Sequence, residues 1–311
     1  MSFISVENLT TRYTTSKGLV HALEDVNFAI EKGESIGIAG ESACGKSTLG
    51  LSIIRMIPNG KIYSGNIQFD GKSLLDVSDS DFDKNIRWKE ISMVFQGAMN
   101  SLDPVFSIQQ QFDEVLKQHD FGGDSKKRIL DSLTSVELDE TVLKKFPHEL
   151  SGGMKQRVII AMALILKPKF VIADEPTTAL DVLIQAQIVN LFKKLKKDGQ
   201  TFMIISHDLA ILSEVVEKIG IMYGGQMVEF GDSKEIFLEP KHPYTKGLLE
   251  SIPVLSKDRK PKYIPGTPPN LIDPIEGCMF YDRCPEAIDK CKKNPPKINT
   301  KSGYVLCWLY E

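Results

Sequence analysis

Residues 40–48 have the composition of a phosphate-binding loop. They fit the pattern G-x-x-x-x-G-K-[ST] in full, between a predicted strand at 35–39 and a predicted helix at 48–56. In such a loop the backbone N–H groups cradle phosphates, Lys46 places a positive charge toward the β- and γ-phosphates, and the Ser47 hydroxyl is a Mg²⁺ ligand. The predicted nucleotide-binding residues of the loop are Gly40, Glu41, Ser42, Ala43, Cys44, Gly45, Lys46, Ser47 and Thr48.

A second phosphate-binding element is predicted at Ser151, Gly152 and Gly153, ahead of an apolar-faced helix. Serine is a good helix N-cap, and two glycines let a ligand approach the free N–H groups of the first helical turn closely. Because the chain already has one phosphate site, we expect this element to contact an ATP that is held mainly by another subunit.

Two acidic side chains follow a buried strand. Residues 170–173 form a continuous apolar run, which is typical of a parallel strand covered on both faces. At the carboxyl edge of such a strand, Asp174 and Glu175 would face the ligand crevice of an open α/β sheet. We expect Asp174 to hold Mg²⁺ through its water shell, and Glu175 to orient or deprotonate the attacking water.

The order of these elements resembles that of ATP-binding cassette (ABC) ATPases. The resemblance implies that Gln96, after a predicted strand at 91–95, contacts Mg²⁺, water and a membrane subunit. It implies that Asp181 lies in a loop that crosses to a partner ATPase, and that His207 contacts the γ-phosphate. The predicted catalytic residues are Glu175, His207, Gln96 and Lys46.

The same resemblance places Tyr13 where an aromatic ring stacks on adenine. The chain departs from the usual pattern at Ala43, where glycine or serine is common, and at Met154, where glutamine is common. Neither change removes a ligand. ATP and Mg²⁺ are therefore the expected substrate and cofactor.

Composition limits the function classes. The chain has 311 residues, with 42% hydrophobic and 25% charged residues, as in an ordinary soluble globule. A formal net charge of −3 argues against a general nucleic-acid-binding surface. No apolar run is long enough to cross a membrane, and the N-terminal residues do not resemble a signal peptide. We expect a cytoplasmic protein whose contact with a membrane depends on partners.

The predicted elements agree with an α/β fold of the P-loop NTPase class. The resemblance implies a RecA-like α/β core, an antiparallel β subdomain and an α-helical subdomain at about 97–165, together forming an ATPase domain over 1–240. Further predicted elements are strands at 3–13, 20–30 and 66–69, a short helix at 79–88, helical spacing over 105–143 with a break at residues 122–123, a helix at 182–197, a strand at 202–206 and a hairpin of 219–223 with 226–230.

The composition changes after residue 239. Eleven of the 16 prolines lie beyond it, which predicts a linker and a loop-rich segment in place of sheet and helix. That segment also holds Cys278, Cys284, Cys291 and Cys307. Because cytosolic proteins rarely form structural disulfides, the four thiols predict a metal site, with either a [4Fe–4S] cluster or Zn²⁺; unliganded buried cysteines are the alternative.

Several stretches of this segment resemble the C-terminal extension of oligopeptide and dipeptide transporter ATPase subunits. They are residues 242–249, the Pro-Gly-Thr-Pro-Pro run at 265–269 and the cysteine-bearing residues 277–291; residues 95–104 resemble the same subfamily. The resemblance implies a C-terminal extension over 241–311 with a [4Fe–4S] cluster. It also implies a peptide importer with a related ATPase chain as heterodimer partner, two membrane permease subunits and an external substrate-binding protein.

Alternative functions are an importer of oligosaccharides, as in other members of the subfamily, and a soluble ABC ATPase that acts on ribosomes or DNA. Ribosomal types generally carry two cassettes, and DNA-repair types insert a long coiled coil, but this sequence has one P-loop and no such insertion. A non-catalytic nucleotide-binding module is disfavoured because no predicted catalytic residue is missing. We therefore expect a peripheral protein on the cytoplasmic face of the membrane.

Overall fold

The computed structural model describes residues 2–252, 263–272, 274 and 276–311. The chain divides into two compact units, Met1–Asp76 with Ile205–Glu311, and Val77–Ile204. The boundary predicted at residue 240 and the helical subdomain predicted at 97–165 stay predictions. No helix within the described ranges is both long and apolar enough to cross a membrane.

The N-terminal part of the first unit contains an antiparallel sheet and the phosphate-binding loop. Its elements are β1 (Ile4–Thr15), β2 (Gly18–Ile30), β3 (Ile36–Ala39), α1 (Lys46–Ile53), β4 (Gly60–Phe69) and β5 (Lys72–Ser73). The sheet has the order β2-β1-β4-β5, with antiparallel pairing throughout. This confirms the predicted antiparallel strands, although β4 begins before the predicted residue 66.

The second unit contains further strands of the larger sheet and several helices. Its elements are α2 (Asp79–Asp81), β6 (Ile91–Val94), α3 (Ile108–Gln118), α4 (Ser125–Ser135), α5 (Gly152–Leu164), β7 (Phe170–Asp174), α6 (Val182–Lys197) and β8 (Thr201–Ile205). Strand β7 lies between β8 and β6, and all five of its residues are buried, as the apolar run predicted.

The short helix predicted at 79–88 is only partly confirmed. After α2 the chain forms a wider, π-helical turn over Phe82–Ile86. The N–H of Arg87 donates to the carbonyl of Phe82 at 2.8 Å, five residues back, so the α-helical pattern of hydrogen bonds ends there. The predicted break at residues 122–123 is confirmed, because it separates α3 from α4.

The C-terminal part of the first unit continues with α7 (Leu209–Val215), β9 (Lys218–Tyr223), β10 (Gln226–Asp232), α8 (Ser233–Leu238), α9 (Pro243–Glu250), β11 (Lys297–Asn299) and β12 (Tyr304–Leu306). The predicted hairpin is confirmed, since β9 and β10 pair antiparallel. Strand β3 pairs parallel with β9, and β12 adds to β10 on the other side.

The expectation of a segment without sheet or helix after residue 239 is therefore wrong. Helix α9 begins with Pro243, whose fixed φ suits a first helical position, and the ring of His242 caps it. Gly303 lets β12 approach β10: an added Cβ would lie 1.9 Å from the carbonyl oxygen of Phe230. The pairing of β12 with β10 joins distant parts of the chain, so composition alone did not indicate it.

Candidate nucleotide-binding site

The phosphate-binding loop connects β3 to α1 and is shaped by residues with positive φ. Gly40, Ala43 and Gly45 have φ values of 152°, 63° and 104°. A Cβ on Gly40 would lie 2.1 Å from the carbonyl oxygen of Met222, so only glycine fits there. Since Ala43 occupies its left-handed position, the departure from glycine is accommodated at a modest conformational cost.

Lys46 is buried inside this loop, with 7% of its surface exposed. Its Nζ donates to the carbonyl oxygens of Gly40 and Glu41, each at 2.8 Å. Ser47 and Thr48 follow in the first turn of α1. The ammonium group is thus already directed into the loop, where a phosphate would be neutralised.

Tyr13 lies on β1, and its hydroxyl donates to Oγ1 of Thr48 at 3.4 Å. This hydrogen bond places Tyr13 next to the loop, and its stacking on adenine stays a prediction. Cys44 is buried in the loop, and its burial raises the pKa of the thiol, although the charge of Lys46 acts in the other direction. The thiol is therefore held neutral.

Glu41 makes contacts that sequence reasoning missed. Its carboxylate forms an ion pair with Arg283, and its backbone N–H donates to the hydroxyl of Tyr244 at 2.8 Å. Both partners come from the region beyond residue 240. Tyr244 and Arg283 lie inside the stretches that resemble the transporter extension, but nothing in their spacing indicated contact with the loop.

In the second unit, Asp174 and Glu175 are buried at the carboxyl end of β7. Strands β6 and β7 are parallel, with Val94 opposite Ala173. Gln96, two residues beyond Val94, therefore lies at the same sheet edge as the two carboxylates. The predicted contacts of these three residues with Mg²⁺ and water stay predictions.

Glu175 adopts a left-handed backbone conformation with φ of 50°. The hydroxyl of Thr178 donates to its Oε2 at 2.9 Å. Sequence reasoning missed Thr178, because a threonine three residues after a carboxylate is no signal by itself. The hydrogen bond restricts the orientation of a carboxylate that we expect to act on water.

The second predicted phosphate element forms the start of α5. Ser151 is the N-cap, and its Oγ accepts from the N–H of Met154 at 3.3 Å. Ser151 and Gly152 are exposed, whereas Gly153 is buried. An accessible helix N-terminus with glycine at its first positions is the arrangement that favours an anion.

Asp181 caps α6, because its Oδ1 accepts from the N–H of Ile184 at 2.9 Å. The helix it starts has the predicted bounds, Val182–Lys197. His207 follows β8 and is exposed. The predicted residues thus divide between the units: the loop, Tyr13 and His207 lie in the first, and Gln96, Ser151, Gly152, Gly153, Asp174, Glu175 and Asp181 lie in the second.

The four C-terminal cysteines lie in a segment that we call the cysteine segment, residues 276–311. The N–H of Cys278 donates to the carbonyl of Cys291 at 2.9 Å. Burial and, to a smaller extent, the nearby thiols of Cys291, Cys284 and Cys307 raise the pKa of Cys278 to about 12. The thiols are therefore neighbours. Across the described ranges, however, no three His, Cys, Asp or Glu side chains are arranged to hold one metal ion.

Comparison with known proteins identifies the class. The family model for ABC transporters matches residues 23–178. A solved dimeric ATP-binding cassette, in a post-hydrolysis state with ADP and Pi, superimposes with a TM-score of 0.65 at 31% identity, over 74% of this chain and 98% of that chain. The chain belongs to the ATP-binding proteins of ABC transporters, a family that hydrolyses ATP, and it has the ABC ATPase fold.

The comparison also shows which ABC transporter proteins this chain is similar to: ATP-binding proteins of oligopeptide and dipeptide transport. The model for the oligopeptide/dipeptide transporter C-terminal region matches residues 228–291. The oligopeptide transport ATP-binding protein AppD of Bacillus subtilis is 44% identical, over 100% of this chain and 97% of its own length. The dipeptide transport ATP-binding protein DppD of the same organism is 42% identical, over 99% and 95%.

Proposed function

We propose that this chain is the ATP-hydrolysing subunit of an ABC importer for dipeptides or oligopeptides. The observation that carries the proposal is the full-length similarity to transport proteins of that kind, which includes the C-terminal region as well as the ATPase part. We further propose two integral membrane permease subunits and an external substrate-binding protein as partners. The chain would then act at the cytoplasmic face of the membrane as a peripheral subunit.

In the proposed reaction, Lys46 neutralises the β- and γ-phosphates, and His207 contacts the γ-phosphate. Glu175, oriented by Thr178, positions the attacking water or takes its proton, because transfer of a phosphoryl group depends mainly on positioning and on charge neutralisation. Ser47, Asp174 and Gln96 offer hydroxyl, carboxylate and amide oxygens, which suit Mg²⁺. The ion would neutralise charge on the phosphates.

We propose that two ATPase subunits enclose each nucleotide. Ser151, Gly152 and Gly153 of one subunit would contact the ATP held by the phosphate-binding loop of the other, with Asp181 near the crossing point. Support comes from the exposed start of α5 and from the dimeric form of the related cassette. A related but different ATPase chain is the proposed partner, which gives a heterodimer.

The test of hydrolysis is Glu175→Gln. This variant should bind ATP and accumulate the closed dimer in gel filtration, with turnover reduced by at least roughly a hundredfold. Glu137→Gln is the matched control, because Glu137 is an exposed carboxylate in the same unit, paired with Arg157 and Lys194. Undiminished hydrolysis by Glu175→Gln would remove this residue from its role. Transport itself is tested by peptide-stimulated ATPase activity of the complex in vesicles.

We also propose that Cys278, Cys284, Cys291 and Cys307 hold a [4Fe–4S] cluster, so that the region after residue 240 forms a small extension around it. The donors fit, since all four are thiols and they lie close enough to shift one another's pKa. Four cysteine thiolates are the usual ligands of such a cluster, and the resemblance to transporter subunits with the same cysteines favours it over Zn²⁺.

Anaerobically purified protein should contain iron and acid-labile sulfide at about four of each per chain. Cys291→Ser should lower both, while Cys44→Ser, which alters the remaining cysteine of the chain, should leave them unchanged. Zinc at about one per chain would contradict the assignment.

A further inference from the structure

A carboxylate within a phosphate-binding loop presents an electrostatic problem. Glu41 directly follows Gly40, and its own carbonyl oxygen accepts from Nζ of Lys46 at 2.8 Å. A negative charge at this position would repel the phosphates of a nucleotide, since like charges a few ångströms apart disfavour each other strongly in a partly buried site. The carboxylate must therefore be neutralised or turned aside.

Arg283 neutralises it with two parallel hydrogen bonds. The distance from Nη1 to Oε2 of Glu41 is 2.7 Å, and the distance from Nη2 to Oε1 is 2.9 Å. The Arg283 side chain is 6% exposed and that of Glu41 is 25% exposed. A bidentate pair this sheltered from water is oriented more rigidly, and is less screened by salt, than a surface ion pair.

The guanidinium uses all five of its N–H groups. Besides Glu41, Nε donates to the carbonyl of Pro265 at 2.8 Å, Nη1 to the hydroxyl of Tyr223 at 3.1 Å, and Nη2 to the carbonyl of Ile264 at 3.3 Å. The ion pair with Glu41 raises the pKa of Arg283, so it stays charged. Lysine could not reproduce this set of contacts, because an ammonium has three donors and no planar fork.

The Pro-Gly-Thr-Pro-Pro run helps to hold this arginine in position. Gly266 has a φ of +81°, and a Cβ there would lie 3.2 Å from Cγ of Arg283. Glycine thus provides both the left-handed turn and the space for the arginine stem. Tyr244 fixes the same loop residue from another direction, through the N–H of Glu41. Residue 41 is held at its backbone and at its side chain by the region beyond residue 240.

We propose that Arg283 is a positioning residue for nucleotide binding, which neutralises Glu41 and keeps its carboxylate from repelling the phosphates. The inference rests on the proposed ATP site and extends it to the C-terminal region. Arg283 directly precedes Cys284 in the chain. The conformation of the cysteine segment therefore determines where the guanidinium lies. The region beyond residue 240 thereby becomes part of the machinery that binds ATP.

The test is a double-mutant cycle of Arg283→Gln, Glu41→Gln and the pair combined, read out as the Kd of a fluorescent ATP analogue. Arg283→Gln should weaken binding on the order of tenfold, because it leaves a partly buried carboxylate uncompensated. The double variant should recover affinity to within about threefold of Glu41→Gln, because the repelling charge is gone. Raising the salt concentration should reduce the defect of Arg283→Gln.

Lys218→Gln is the control. It breaks the Lys218–Asp232 ion pair of 2.7 Å in the same unit. Lys218 lies opposite Ile36 at the start of β3, whereas the loop follows the end of that strand, so the Kd should be unchanged. Wild-type affinity in Arg283→Gln, or a double variant as weak as Arg283→Gln, would overturn the inference. If Arg283→Gln fails to fold, the Kd of the double variant is compared with that of Glu41→Gln. A double variant that binds the ATP analogue much more weakly than Glu41→Gln would contradict charge compensation by Arg283. Absence of nucleotide binding by the wild-type protein would instead contradict the proposed ATP site itself.

Discussion

The hydroxyl of Thr178 donates to Oε2 of Glu175 at 2.9 Å, within the turn that follows β7. Glu175 is otherwise at a strained position, since a positive φ is uncommon for a residue with a side chain. The backbone conformation of Glu175 sets the direction of its side chain, and the hydrogen bond from Thr178 restricts rotation of the carboxylate group. Under the proposed function, the activation of water by Glu175 would then also depend on Thr178, through the orientation of the carboxylate.

Thr178→Val should therefore lower kcat roughly tenfold, with nucleotide affinity unchanged, because valine keeps the shape but loses the donor. Thr178→Ser keeps the hydroxyl and is the matched control, which should retain most of the activity. Steady-state ATPase assays and nucleotide titrations separate the two effects. A Thr178→Val variant with wild-type kcat would show that the hydrogen bond does not contribute to hydrolysis.

The elements that could be predicted from the sequence are those whose conformation depends on residues close together in the chain. The phosphate-binding loop depends on nine consecutive residues, and α6 has its predicted bounds because Asp181 caps it and Gly199 follows its end. The buried strand β7 and the two carboxylates at its end are likewise predicted by a short pattern, an apolar run followed by Asp174 and Glu175. In each case the interacting groups lie within a few residues or within adjacent elements.

The contacts that sequence did not predict join residues far apart in the chain. Arg283 and Glu41 are separated by 242 positions, and β12 pairs with β10 across a proline-rich stretch. Such pairs have no periodicity of their own, and one chain without aligned relatives offers no covariation. The high proline content led to the wrong expectation of a segment without sheet or helix, and it did not show that this region packs against the phosphate-binding loop.

Ser151 has two roles that substitution can separate. Ser151→Ala removes the cap of α5 and should lower the free energy of unfolding by about 1 kcal/mol. Ser151→Asp keeps a capping oxygen but adds a negative charge where we expect the partner's γ-phosphate. It should leave stability near that of the wild type while nearly abolishing ATPase activity. Urea unfolding and ATPase assays test this, and an active Ser151→Asp variant would contradict a phosphate at this helix start.

The two glycines after Ser151 should respond differently to alanine. A Cβ on Gly153 would lie 2.8 Å from Cγ2 of Ile184, so Gly153→Ala should destabilise the protein by about 1 to 3 kcal/mol. A Cβ on Gly152 would meet only ordinary contacts, the nearest at 3.5 Å to Leu180. Gly152→Ala should thus raise helix stability by about 0.5 to 1 kcal/mol.

ATPase activity then tests the role of Gly152. If this surface approaches a nucleotide closely, Gly152→Ala should lower kcat/KM despite its stabilised helix. Thermal unfolding and ATPase assays on the same preparations distinguish the two effects. Equal activity in Gly152→Ala and wild type would mean that no ligand comes close to this glycine.

His242 makes stability depend on pH. It is buried, its Nδ1 accepts from the N–H of Tyr244 at 3.1 Å, and burial lowers its pKa from 6.5 to about 3. As the pH falls below 6.5, the unfolded chain therefore takes up a proton that the folded chain does not, so stability decreases. The loss from this residue between pH 7.5 and pH 5.5 should be about 1.4 kcal/mol.

His242→Asn keeps a capping acceptor for α9 but cannot titrate, so its stability should fall less steeply over the same pH range. The measured quantity is the change in the free energy of unfolding between pH 7.5 and pH 5.5, obtained by urea unfolding. This change is compared, and not the absolute free energy, because the smaller side chain also lowers absolute stability. His148→Asn, at an exposed position, is the control and should keep the wild-type slope. Glu229 acts with the opposite sign, since burial raises its pKa and the folded state gains protons first on acidification. Because Glu229 remains in both proteins, an unchanged slope in His242→Asn would mean that His242 is not the group whose protonation opposes folding.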